Sequence, residues 1–147
     1  MSSYKTVSEM YGIEDDSRPS QPKYAFDIKS NQEFNDILDK FPIVVVDVWG
    51  AFCNPCKLLM PKYEKIAQKY AQYFQNGYII FIKDNIEQNL DIHKPLVSVV
   101  PTFFIYVHKK RYQISDFREI DTTVESALYD IIQEQKKLSS NSSTVDA

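Results

Sequence analysis

The sequence is short of the residues that would place it outside the cell or in a membrane. Only two cysteines, Cys53 and Cys56, occur in 147 residues, too few for a disulfide-stapled secreted scaffold. No stretch approaches the roughly 18 apolar residues of a membrane span, and Met1 to Pro22 lacks the basic and apolar regions of a signal peptide. Positive charge is not in excess either. Seventeen Lys and Arg stand against twenty Asp and Glu, for a net charge of −3, and apart from Lys109, Lys110 and Arg111 the basic residues are scattered. A phosphate backbone therefore finds no footprint, and no internal repeat is evident. These absences lead to the expectation of a cytoplasmic protein with no nucleic-acid or membrane partner. Thiols stay reduced there, so a close cysteine pair points to catalysis or metal binding.

What is present suffices for one packed domain: 44% hydrophobic residues, with ten Tyr, nine Phe and one Trp. Residues 1–22 are polar and read as a flexible N-terminal extension, 23–138 as the folded unit, and 139–147 as a disordered polar tail. Tyr24 to Ile28 alternates as a short strand. Ser30 and Glu33 then form a capping box opening a helix with Phe34, Ile37, Leu38 and Phe41 on one face. Pro42 ends that helix, and the β-branched run Ile43 to Val48 has the character of a central strand buried on both faces. From Pro55, apolar residues recur at helical spacing to Phe74, with Gly77 as the stop, which predicts one long helix. Tyr78 to Ile82 is a further strand, and Glu87 to Leu96 an imperfect short helix. Thr102 to Val107 and Tyr112 to Phe117 form an antiparallel hairpin across His108 to Arg111. Thr122 with Glu125 reads as a second capping box before a closing amphipathic helix. The order implies a mixed α/β sheet.

The chemistry concentrates in Trp49-Gly50-Ala51-Phe52-Cys53-Asn54-Pro55-Cys56-Lys57, between a buried strand and a helix. Peptide dipoles and unpaired N–H groups at a helix N-terminus favour negative charge, so Cys53 is the candidate thiolate nucleophile. Cys56, one helical turn on, points back at it and can resolve a mixed disulfide, and Pro55 suits the first helical position. Cys53 is expected to be exposed and Cys56 more buried. A zinc site would need two further ligands; His93 and His108 lie on separate elements without finger spacing and are expected in solvent-facing loops.

Over Tyr24 to about Lys137 the sequence resembles the thioredoxin family. Val44-Val45-Val46-Asp47-Val48-Trp49 is similar to the family's central strand with its buried acid, Cys53-Asn54-Pro55-Cys56-Lys57 to its redox motif, and Pro61 to the proline of the following helix. Val99-Val100-Pro101-Thr102 is similar to the cis-proline segment and Lys83 to the lysine beside the acid. The resemblance implies a thioredoxin fold, with about five strands in a mixed sheet flanked by about four helices, working as a protein dithiol–disulfide oxidoreductase. Within that implication Asp47 takes the proton of Cys56, Lys83 partners Asp47, and Trp49, Phe52, Asn54, Pro55, Val100 and Pro101 meet the substrate peptide. No cofactor or metal is bound. The Cys53-Cys56 disulfide is the redox group, and NADPH supplies electrons indirectly through a thioredoxin-reductase-like or other dithiol donor. Disulfide-containing proteins are the substrates, and the protein is expected to be a monomer.

The chain departs from the family's usual pattern at Phe52, where Trp is usual, at Asn54, where Gly is commonest, and at Phe117-Arg118-Glu119, where small residues normally contact partners. Two rivals stay open: a thiol oxidase or isomerase-like member of the fold, and a redox-inactive binding module.

Overall fold

In the computed structural model, residues 23–114 and 120–146 are described, and among them lie five strands and four α-helices. The strands are β1 (Ala25–Asp27), β2 (Ile43–Trp49), β3 (Ile79–Asn85), β4 (Thr102–Val107) and β5 (Lys110–Ile114). The helices are α1 (Asn31–Lys40), α2 (Asn54–Lys69), α3 (Ala71–Gln75) and α4 (Ile120–Asp146). The sheet order is β1-β3-β2-β4-β5. β1, β3 and β2 run parallel, whereas β4 is antiparallel to β2, and β5 to β4. The mixed thioredoxin-type sheet expected from the sequence is therefore the one formed.

Alternation along each strand divides the core into two layers. Ile43 and Val45 of β2, Phe81 of β3 and Phe103 and Ile105 of β4 face Leu59, Tyr63 and Ile66 of α2 and Val124 and Leu128 of α4. Val44, Val46 and Val48, with Ile80, Ile82, Phe104 and Tyr106, face Phe34 of α1 and Ile92. β2 is central because Ile43 to Val48 is buried without interruption, a run that only a strand covered on both faces can use.

Several elements differ from the sequence expectation. The long helix ends at Lys69, and α3 follows after Tyr70, whose ψ of 17° departs from the helix. The aromatic rings of Tyr70, Tyr73 and Tyr78 meet one another there, so the apolar spacing continued while the backbone turned. Glu87 to Leu96 is not an α-helix but a run of turns closed by a 3₁₀ turn at Lys94–Leu96. Thr122 is no N-cap, because α4 already begins at Ile120. That helix runs to Asp146, across the stretch expected as a polar tail, where neither Gly nor Pro interrupts it. The hairpin turn is confined to His108 and Lys109, both at positive φ (48° and 73°), the geometry of a tight two-residue connection.

Candidate functional site

β2 delivers the chain to the site and α2 carries it away. Trp49 ends the strand, Gly50 to Phe52 turn, and Cys53 is the N-cap of α2, its Sγ accepting the Cys56 N–H at 3.2 Å. Pro55 lies in the first helical positions, where its missing N–H costs nothing. Cys53 and Cys56 are joined as a disulfide with Cα atoms 5.3 Å apart. Their relative exposures are 7% and 1%, so the expected order holds, but Cys53 is itself largely covered. The turn is fastened from β3's far end: Glu87 accepts the Ala51 N–H, and the Ile86 N–H donates to the Trp49 carbonyl at 2.9 Å. Glu87 was not among the residues expected at the site, since a charged residue in a loop gives no sign of a partner 36 residues earlier.

Opposite the cysteines, Val100-Pro101 is a cis peptide bond, as the family resemblance implied. The Val100 carbonyl oxygen lies 3.5 Å from Cys53 Sγ, and the Thr102 hydroxyl donates to the Val99 carbonyl at 2.7 Å. Between this segment and the turn lies a groove of about 470 Å³ bordered by Phe52, Ile86, Lys94 and Val97 to Val100. Phe52 and Val99 are each 67% exposed, so the groove presents apolar surface to solvent immediately beside the sulfurs. Asn54 and Pro55 are exposed at the start of α2.

Asp47 is 1% exposed, on the β2 face that α2 covers, and neither of its carboxylate oxygens has a hydrogen-bond partner among the described residues. Burial raises its pKa from 3.8 to about 7, against the opposing pull of the Lys83 ammonium and with a smaller upward push from Asp27. Lys83 stands opposite Asp47 in the β2–β3 register and opposite Asp27 in the β1–β3 register. Its ion pair goes to Asp27, at 3.7 Å. Lys83 therefore acts on Asp47 through its field, and its direct partner is Asp27. Next to this acid, the Tyr63 hydroxyl reaches the Val45 and Ile82 carbonyls at 3.0 and 2.8 Å. Burial, then the Asp47 charge, hold its pKa well above the usual phenol range. The Trp49 indole N–H is also buried without a hydrogen-bond partner among the described residues.

The histidine expectation fails for His93. It is 0% exposed, with Nδ1 2.7 Å from Asp84 Oδ2 and Nε2 2.9 Å from the Tyr106 hydroxyl. His108 is exposed at the hairpin turn, beside Gln135. Neither joins the cysteines, and among the described residues no set of His, Cys, Asp and Glu gathers as metal ligands. No described helix is long and apolar enough to cross a membrane. Phe117, Arg118 and Glu119, expected to shape partner contacts, lie outside the described residues.

The thioredoxin family model matches residues 26–134. Thioredoxin of Coprinus comatus is 30% identical over 80 residues, covering 54% of this chain and 72% of its own. Thioredoxin of Mycoplasma genitalium is 30% identical over 89 residues, covering 58% and 81%. The crystal structure of thioredoxin from Trypanosoma brucei brucei superposes with a TM-score of 0.62 at 26% identity, across 82% of this chain and 99% of that one. With the cysteine pair at the start of α2 and the matching sheet, the chain belongs to the thioredoxin family of dithiol–disulfide oxidoreductases.

Proposed function

We propose that this protein reduces disulfides in other proteins, in a cytoplasmic setting, with its folded unit at 23–138 carrying the activity as a monomer. The supporting observation is the Cys53-Cys56 pair at the N-terminus of α2, with a partly apolar groove on one side and a buried carboxyl, its pKa raised to about 7, in the strand that leads to it.

In the reduced protein the N-terminal N–H groups of α2 favour a thiolate on Cys53. That thiolate attacks one sulfur of the substrate disulfide; a new S–S bond forms to Cys53, and the other substrate sulfur leaves with its electron pair. Cys56 then attacks Cys53 Sγ, closing the internal disulfide and releasing the second substrate thiolate. The Cys56 proton passes to Asp47, by way of water, an assignment supported by a carboxyl pKa of about 7. Lys83 keeps that value from rising further. Trp49, Phe52, Asn54, Pro55, Val100 and Pro101 hold the substrate chain across the sulfurs. Two electrons restore the dithiol, supplied from NADPH through a thioredoxin-reductase-like partner or by another dithiol.

The test combines trapping with a potential. Cys53→Ser should abolish the protein's acceleration of insulin reduction by dithiothreitol, whereas Cys56→Ser should accumulate mixed disulfides in a cell extract. The wild-type couple should lie near about −270 mV. A value above about −200 mV would reverse the direction and make the protein an oxidant or isomerase.

A further inference from the structure

Between His93 and Pro101 the chain forms a strap that is covered at both ends and open in between. Lys94, Pro95, Leu96, Ser98 and Val99 are exposed, Val97 and Val100 half-buried. This strap is one wall of the groove beside Cys53. Its C-terminal end is fixed by Thr102 and the buried Pro101. Its N-terminal end is fixed by His93, in a polar network that the redox chemistry does not use.

That network is complete. Asp84 Oδ2 accepts the His93 backbone N–H at 3.1 Å and the ring Nδ1–H at 2.7 Å. Asp84 Oδ1 accepts from the Asn89 amide at 2.8 Å, and that amide also donates to the Ile28 carbonyl at 2.9 Å. A carboxylate only accepts, so Nδ1 donates to Asp84, and Nε2 lies 2.9 Å from the Tyr106 hydroxyl. Phe34 and Phe104 pack their rings on the imidazole at 4.7 and 5.5 Å, and the His93 carbonyl accepts the Leu96 N–H at 2.8 Å, starting the turn of the strap. His93 is thus held in one orientation by β3, β4 and α1 together.

We propose that His93 is a positioning residue for the substrate chain: anchored by Asp84 and Tyr106, it fixes the strap 94–100 so that Val97 to Val100 meet an incoming peptide already ordered. The inference rests on the reading of the groove as the peptide site. A pre-ordered wall spares the ordering cost that binding would otherwise incur. Loosening it should weaken binding of ground state and transition state alike, raising KM while kcat stands. A small disulfide that reaches Cys53 without lying along the strap should not feel the change.

The test measures insulin reduction driven by dithiothreitol, alongside reaction of the reduced protein with 5,5′-dithiobis(2-nitrobenzoic acid) and the reduction potential. His93→Leu, which keeps bulk and loses both polar partners, should raise KM for insulin about tenfold, the loss expected for one to two hydrogen bonds. His93→Asn, which keeps a donor toward Asp84, should recover most of that loss, and Tyr106→Phe should raise KM about threefold. In each, kcat, the small-disulfide rate and the potential should match wild type. If His93→Leu does not fold, His93→Asn and Tyr106→Phe carry the test. Variants that lower the unfolding midpoint and leave KM at the wild-type value would overturn the proposal and make the network purely structural. A wild-type protein that fails on insulin itself would instead overturn the reading of the groove.

Discussion

Asp47 and Asp84 are buried in the same sheet, on adjacent strands and opposite faces, with 1% and 0% exposure. Asp84 accepts three hydrogen bonds, from Asn89 and twice from His93. Among the described residues Asp47 accepts none, and the field of Lys83 is what offsets its burial. A buried carboxylate with its full set of donors is a fixed joint. One without them is expensive to ionise and exchanges its proton near neutral pH. The protein uses one aspartate to hold the groove's wall and leaves the other uncompensated behind the cysteines.

The comparison is broken most directly by removing Asp84. Asp84→Ala leaves one N–H of the Asn89 amide and both donors of His93 buried without an acceptor, and at about 1–3 kcal/mol for each unsatisfied donor, stability in urea denaturation should fall by about 3–5 kcal/mol. The reduced variant should still react with a small disulfide at the wild-type rate, because Cys53 and α2 lie outside the network. A small loss of stability would mean that the surrounding groups rearrange, and that the joint is less fixed than its geometry indicates.

Asp47 should respond with the opposite sign. Its folded pKa is raised from 3.8 to about 7, so the folded protein keeps a proton that the unfolded chain releases. The group costs nothing below about pH 4; the cost grows as pH rises and is complete above about pH 7, where it reaches roughly 4 kcal/mol. Asp47→Asn removes it but leaves a buried amide, itself worth a penalty of about 1–3 kcal/mol. The variant should therefore gain about 2 kcal/mol at pH 8 and show no gain at pH 4. Resolution of a mixed disulfide by Cys56 should slow by about 100-fold at pH 7, the low end of general-base effects. Wild-type resolution in Asp47→Asn would take the proton-transfer role away from this carboxyl.

These two aspartates also mark where the sequence is legible and where it is not. Asp47 stood out because it interrupts an otherwise apolar run in a strand whose neighbours are all β-branched or aromatic. The strands, the first capping box and the cysteine turn were equally plain, because each depends on residues within a few positions of one another. The His93 network depends on partners 9 and 13 residues away, and Phe34 is farther still. In sequence His93 is a polar residue in a loop, and only the shared parity of Ile80, Ile82 and Asp84 hinted that an acid lies inside. The break at Tyr70 was hidden for the converse reason: the apolar spacing ran on to Phe74 although the backbone leaves the helix at Tyr70. Lys83 was expected as the partner of Asp47, which it influences through its field, whereas its ion pair goes to Asp27, on a strand that only the fold sets alongside.

A smaller effect sharpens the comparison near Asp47. Tyr63→Phe removes a hydroxyl that reaches the Val45 and Ile82 carbonyls while preserving the ring between Phe81 and Phe103. The expected loss is about 1–1.5 kcal/mol, one hydrogen bond's net value. Because the variant strips no charge partner from Asp47, the pH dependence of resolution should keep its wild-type midpoint. A shifted midpoint would show that this phenol helps set the carboxyl's proton affinity.

The smallest expected effect tests whether the two faces are separable at all. Ser30 caps α1: its Oγ accepts the Glu33 N–H at 3.1 Å, and the Glu33 carboxylate reaches back to the Lys29 N–H at 2.8 Å. Ser30→Ala should cost about 1 kcal/mol, the usual value of an N-cap hydroxyl. The helix it caps brings Phe34 edge-on against His93, so any looseness is transmitted to the Asp84 face and not to α2, which packs on the other side of the sheet. Hydrogen exchange should accordingly quicken along α1, while amides in the first turns of α2 keep their protection. The rate of Cys53 with a small disulfide should be unchanged. Faster exchange at Cys56 and Lys57 in Ser30→Ala would show that the layers are coupled through β2, and that a change on the structural face reaches the chemistry on the other.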